Sequence, residues 1–328
     1  MKKKVLGTLL AAMMVGAMLT GCVTDGSSSG SDTADKTADE GSSDGAKKFA
    51  AFVPTMTNPY WVSELGQLES DIEADGGTLD IFDAQSDQSK QISQVEDAIS
   101  AGYDLFFISA FDADGVRPAL EAANKADIPV VAIDTSVTDV DLVQCQVTAD
   151  NAEAGRLAGE ALGKELGENA QVGIIGLSVN MDCRARSDNF KEGLAETCPT
   201  AEIVFEQEGN GTTDTALTIM DNMIQSYPDL DAVFCINDPS SLGAVAALES
   251  AGMLENVLVA SVDGSSDGVN AVKEGKMIGT AAQFPIEVAK TCLENAYKLL
   301  DGEEITDKEV MVPSLWINAD NCEENPGY

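Results

Sequence analysis

From residue 47 onward the chain alternates short apolar runs with amphipathic stretches, and that alternation restricts it to a small set of folds. The runs FAAFV (49–53), TLDIF (78–82), LFFIS (105–109), VVAI (130–133) and LVQCQV (142–147) form one series. A second series is VGIIGL (172–177), EIVF (202–205), AVFCI (232–236), VLVASV (257–262) and MIGTAA (277–282). Between them lie segments with helical periodicity, such as 89–102, where Ile92, Val95, Ala98 and Ile99 share one face. Residues 151–166 and 241–251 behave alike. Strands this apolar are buried on both faces, and strand–helix–strand repetition covers a parallel sheet with helices. Two groups of five imply two similar sheets; a closed eight-unit barrel is the competing architecture.

Several of these runs end in a polar side chain. Asn58 follows the first by five residues, Asp134 closes VVAI, Asn237 closes AVFCI, Asp263 closes VLVASV and Gln283 follows GTAA. In open α/β sheets ligands bind outside the carboxyl ends of the strands. Amides and carboxylates gathered there offer the donors and acceptors that a small polyol requires. Tyr60 and Trp61 follow Asn58 and Pro59. Neighbours on a helix point about 100° apart, so one of the two rings faces the strand ends and presents an apolar surface to sugar C–H groups. A plain helix start, with Asn58 as cap, is the alternative; Asp134 and Asp263 are open to the same cap or turn reading. Arg184 and Arg186 stand out in a chain poor in bases. A cation near a helix N-terminus opposes the macrodipole, so another partner holds it: ligand hydroxyls or a surface carboxylate.

Composition and motifs exclude other chemistries. Asp and Glu number 56 against 19 Lys and Arg, for a net charge of −37. That charge repels nucleic acid and phosphorylated ligands. The phosphate loop GxxxxGK[ST] is absent, and Gly209-Asn210-Gly211 lacks the third glycine of a dinucleotide fingerprint. In the calcium-like stretch Asp112–Gly115 the twelfth position is Ala123 instead of Glu. With no histidine in the chain, a zinc site and the Ser-His-Asp triad have no basis. No metal, cofactor or catalytic residue is expected, and the chain reads as a non-enzyme. Cys183 and Cys198 bracket a helix whose rise of about 22 Å is far beyond disulfide reach. Cys235 reads as a small core residue.

The N-terminus sets the compartment. Lys2, Lys3 and Lys4 precede an apolar stretch over 5–19, the plan of a secretory signal. Leu19-Thr20-Gly21-Cys22 resembles the bacterial lipobox, which implies a signal peptide over 1–21 and lipidation of Cys22. Two or more acyl chains anchor a protein stably. Residues 22–46, acidic and rich in Ser and Gly, read as a flexible stalk with a mean reach of about 27 Å. The expected location is extracytoplasmic, anchored to the cell membrane as a lipoprotein.

Taken together, TNPYW, IPVVAID, TADNAEAG, CRARSDNF, DAVFCIND, VLVASVDG and TAAQFP fall in the order and at the spacing of the ribose-binding-protein-like family of periplasmic sugar receptors. The chain resembles that family over 47–317. The resemblance implies an α/β fold of two doubly wound parallel-sheet lobes joined by three hinge strands, the type I periplasmic binding protein fold. The N-terminal lobe would comprise 47–149 plus 284–312, and the C-terminal lobe 150–283 plus 313–328. By position, Asn58, Tyr60, Trp61, Asp134 and Thr135 would line one side of the cleft, with Arg186, Asn237, Asp263 and Gln283 on the other. Two departures stand out. Thr135 occupies a place where ribose binders carry arginine, and Gly211 aligns near their second-lobe aromatic ring. Ribose itself is therefore not the expected ligand. The implied function is a monomeric solute-binding protein that closes on a neutral monosaccharide or related polyol and delivers it to an ABC permease. The alternative is a sensor that presents bound sugar or a furanone-type signal to a membrane receptor.

Overall fold

The structure, a computed structural model, describes residues 46–328; the expected signal segment, Cys22 and all but the last residue of the stalk lie outside the described residues. The first half runs β1 (Lys48–Val53), α1 (Pro59–Ala74), β2 (Thr78–Asp83), α2 (Gln88–Ala98), β3 (Leu105–Ile108), α3 (Arg117–Lys125), β4 (Val130–Ile133) and β5 (Cys145–Ala149). The second half begins α4 (Asn151–Glu165), β6 (Gln171–Gly176), α5 (Met181–Thr197), β7 (Glu202–Glu208) and α6 (Thr213–Ser226). It continues β8 (Ala232–Cys235), α7 (Asp238–Ala251), β9 (Leu258–Asp263), α8 (Ser266–Lys273) and β10 (Gly279–Ala282). Finally come α9 (Pro285–Leu300), β11 (Glu309–Val312) and β12 (Leu315–Asn318).

Among the described residues the strands form two six-stranded sheets, ordered β11-β5-β4-β3-β1-β2 and β12-β10-β9-β8-β6-β7. Every pairing is parallel except β10 with β12. These are two α/β lobes, not one closed barrel. The chain passes between them three times: from β5 into α4, which packs on the second sheet; from β10 into α9, which packs on the first; and from β11 to β12.

Side-chain alternation explains why each sheet is covered twice. Leu105 and Phe107 of β3 enter one core cluster with Leu65, Leu68 and Ile72 of α1 and Val288, Ala289 and Cys292 of α9. Phe106 and Ile108 point the other way, into a cluster with α2 and α3. With a period of two, one tetrapeptide serves both faces. Each fully buried Phe, Leu or Ile contributes roughly 1.5–3 kcal/mol. The second sheet repeats the scheme: Val233 and Cys235 of β8 face one way, Ala232 and Phe234 the other.

Side-chain caps fix where the helices begin. Asn58, Asp87, Asp150, Asn180, Asn237 and Ser265 each accept a backbone N–H in the first turn of their helix. The strand expected at 142–147 instead covers 145–149. Residues 140–142 wind a 3₁₀ turn closed by Leu142 N–H donating to the Asp139 carbonyl, while Asn124 donates to the Leu142 carbonyl. β11 and β12 were missed because they follow α9, where the alternation of strands with helices has ended. Each carries only a three-residue apolar run, Val310–Val312 and Leu315–Ile317, and most of these residues are at least partly exposed.

α4 and α5 pack closely through glycine. A Cβ built on Gly155 would overlap the Arg186 carbonyl oxygen, and one on Gly159 would overlap that of Phe190. Gly155→Ala should therefore push α5 outward and cost about 1–3 kcal/mol, read as a lower denaturant midpoint. An unchanged midpoint would mean that the helices separate freely.

Candidate ligand-binding site

The carboxyl ends of both sheets open onto one cavity of about 320 Å³. All nine residues selected from sequence line it: Asn58, Tyr60, Trp61, Asp134, Thr135, Arg186, Asn237, Asp263 and Gln283. Eight of them are placed by a strand end or a first helical turn, and Arg186 by the second turn of α5. Asp134 and Asp263 sit at the ends of β4 and β9 with φ of 63° and 131°. Such conformations are uncommon for residues other than glycine and cluster at functional sites.

On the first-lobe side, Trp61 Nε1–H donates to Asp134 Oδ2 at 2.8 Å, and the Thr135 hydroxyl donates to the same oxygen at 3.1 Å. Thr135 also bonds the Ser109 hydroxyl. Tyr60 is buried, its ring edge-on to that of Tyr328 at 5.8 Å. The Asn58 carbonyl is committed to the α1 cap, where it accepts Tyr60 N–H at 2.9 Å. Capping and lining the cavity thus coexist in one residue.

Arg186 organises the second-lobe side. Its Nε donates to Asn151 Oδ1 at 2.7 Å, Nη1 to the Ile236 carbonyl at 2.9 Å and Nη2 to Gln283 Oε1 at 3.0 Å. Asp263 Oδ1 lies 3.6 Å from Nη1 and accepts from Gln283 Nε2 at 2.8 Å. Asp263 Oδ2 accepts the Asp238 backbone N–H at 3.2 Å. Asn237 is fully engaged in shape if not in number: Oδ1 caps α7 through Ser240 N–H, and Nδ2 donates to the Gly211 carbonyl at 3.0 Å. Arg184 turns to the opposite, exposed side of α5, where it reaches only the Ser178 carbonyl.

Carboxylates face one another here with a single guanidinium among them. Burial, then the Asp182 carboxylate, pushes Asp134 up to about 6 against the pull of Arg186 and of its own hydrogen bonds. Asp263 is likewise raised by burial and by Asp238, with Arg186 opposing. Burial works against the Arg186 charge, but the surrounding acids outweigh it and its pKa is raised.

Sequence reasoning missed three features. Asp182, in the first turn of α5, accepts Ser136 N–H at 2.7 Å and the Ser136 hydroxyl at 3.0 Å, joining the two lobes beside the cavity. Phe111 and Asn180 also line it. Phe111 lies three residues past the end of β3, so a search of strand ends for rings as well as polar groups would have found it. Nothing in the sequence marks Asp182, whose partner is 46 residues away.

Two α/β lobes with a cavity between their strand ends, lined by both rings and polar groups, are the architecture of a periplasmic binding protein. The chain belongs to that family: residues 49–304 match its periplasmic binding protein domain. It is 34% identical to the ribose import binding protein of Bacillus subtilis, over 80% of this chain and 84% of that one. Its fold superposes on a crystallised galactofuranose binding protein with a TM-score of 0.81 at 26% identity, covering 85% of this chain and 97% of the other. The Caulobacter myo-inositol binding protein, solved with myo-inositol, gives a TM-score of 0.79 at 26% identity, covering 84% and 95%.

Proposed function

We propose that this protein captures a neutral monosaccharide or related polyol outside the cytoplasm and delivers it to an ABC importer, without catalysing a reaction. The observation that carries this reading is convergence. Nine side chains chosen from two halves of the sequence meet at one cavity that holds donors, acceptors and the rings of Trp61 and Phe111. Its volume falls at the small end of the range for ligand pockets, about 300–1,000 Å³. The relatives named above bind ribose, galactofuranose and myo-inositol, all of them hydroxyl-rich and uncharged.

The mechanism is hinge closure between lobes comprising 47–149 plus 284–312 and 150–283 plus 313–328. A ligand that touches Asp134 on one lobe and Asp263 on the other binds the closed arrangement better than the open one and shifts the population toward it. The importer then recognises the paired lobe surfaces. A lipid on Cys22 would hold the monomer at the membrane, with 22–46 as its tether; Leu19-Thr20-Gly21-Cys22 supports that part of the reading.

A thermal-shift screen of pentoses, hexoses, deoxysugars and polyols tests the proposal. A ligand at 100 times its Kd adds about 2.7 kcal/mol to the folded state. At least one compound should raise the melting temperature by several degrees. If none does, the sugar-binding reading fails.

A further inference from the structure

The cavity wall carries more carboxyl groups than cationic ones. Asp134, Asp182, Asp214 and Asp263 line it, and Asp238 stands directly behind Asp263. Arg186 is the one cation among the lining residues, and three of its five N–H groups are committed to protein oxygens. The position after Asp134 is Thr135, a neutral side chain.

One acceptor is also left over. Asp134 is only 7% exposed, and both of its hydrogen bonds, from Trp61 and from Thr135, go to Oδ2. Oδ1 receives none, and it is not among the fully enclosed unpartnered atoms, so it keeps some exposure in a residue that lines the cavity. A carboxylate oxygen with no donor from the protein accepts a cationic donor more strongly than a neutral one. A bare metal ion does not suit: among the described residues no group of three or more Asp, Glu, Cys or His is placed to hold one.

Building on the reading of this cavity as a polyol site, we infer that it prefers a sugar or cyclitol bearing a protonated amine to the neutral parent compound, with the ammonium seated on Asp134 Oδ1. An ammonium brings three donors and a positive charge where a hydroxyl brings one donor. It adds a second cation to a wall where Arg186 is the one positive group among several carboxyls.

The test is calorimetric titration of the full-length chain at pH 7.5 with matched pairs: glucose and glucosamine, galactose and galactosamine, mannose and mannosamine, myo-inositol and an amino-deoxy-inositol. In at least one pair the amine should bind ten times more tightly than its parent. That advantage should fall below threefold in Asp134→Asn, which keeps an acceptor for Trp61. Should every neutral compound that binds match or exceed its amine, the inference is overturned while the polyol reading stands. An equal amine advantage in Asp134→Asn would overturn the assigned seat. If neither member of any pair binds, the polyol reading falls and the inference with it.

Discussion

Arg186→Ala should abolish measurable ligand binding and also cost about 3–5 kcal/mol of folding stability, the penalty for stranding buried charges. The guanidinium ties together Asn151 at the start of α4, the carbonyl after β8, and Gln283 after β10, and it faces Asp263. Without it Asp134, Asp182 and Asp263 confront each other uncompensated. Their raised pKa values climb further in the variant, whereas the unfolded chain releases the same protons near pH 4. The stability deficit should therefore widen as pH rises from 5 to 8, because the unfolded state then binds fewer protons than the folded one. Calorimetric titration and urea unfolding at the two pH values measure both effects. Wild-type affinity in the variant would remove Arg186 from the site.

Glu64→Gln should stabilise the protein at neutral pH. Glu64 lies on the core face of α1 at 0% exposure, and its carboxyl oxygens make no well-formed hydrogen bond, the Tyr60 hydroxyl giving only a weak opposing pull. Burial first, and then the charge of Asp134, raises its pKa well above the ordinary value. In the folded state it keeps a proton that the unfolded chain loses above about pH 4.3. Each pH unit over which that difference holds removes about 1.4 kcal/mol of stability. The sign is opposite to that of a salt-bridged carboxylate: the handicap vanishes at low pH and grows toward neutrality. Thermal unfolding of the two proteins should coincide near pH 4 and diverge by several degrees at pH 7.5, the variant being higher. Equal melting temperatures at every pH would show that Glu64 ionises freely in place.

Much of this architecture was legible because its strands are buried on both faces. Such strands print uninterrupted apolar runs, as LFFI of β3 does, and their partners print helical periodicity. The strand-end residues were legible for a second physical reason: where an apolar run stops at Asp134 or Asp263, the backbone leaves the sheet and the side chain meets the cleft. β11 and β12 escaped the same logic, since they fall after α9, outside the strand–helix alternation, and most of their residues are partly exposed. Also hidden were contacts between groups far apart in the chain, such as Ser136 with Asp182. Glu64 misleads more deeply. By pattern a glutamate on an amphipathic helix belongs outside, and only the packing of α1 against α9 turns it inward.

The Ser136–Asp182 contact requires no atom from outside the polypeptide. Two charge-assisted bonds, each worth roughly 1.5–3 kcal/mol once shielded from water, lean the resting equilibrium toward apposed halves. A guest then has less work left to do, so weak guests register and affinity gains reach. Discrimination loses by the same measure, because a poor fit is helped to shut as much as a good one. The ease of closing thus rests on a serine and on an aspartate that also lines the guest's cavity.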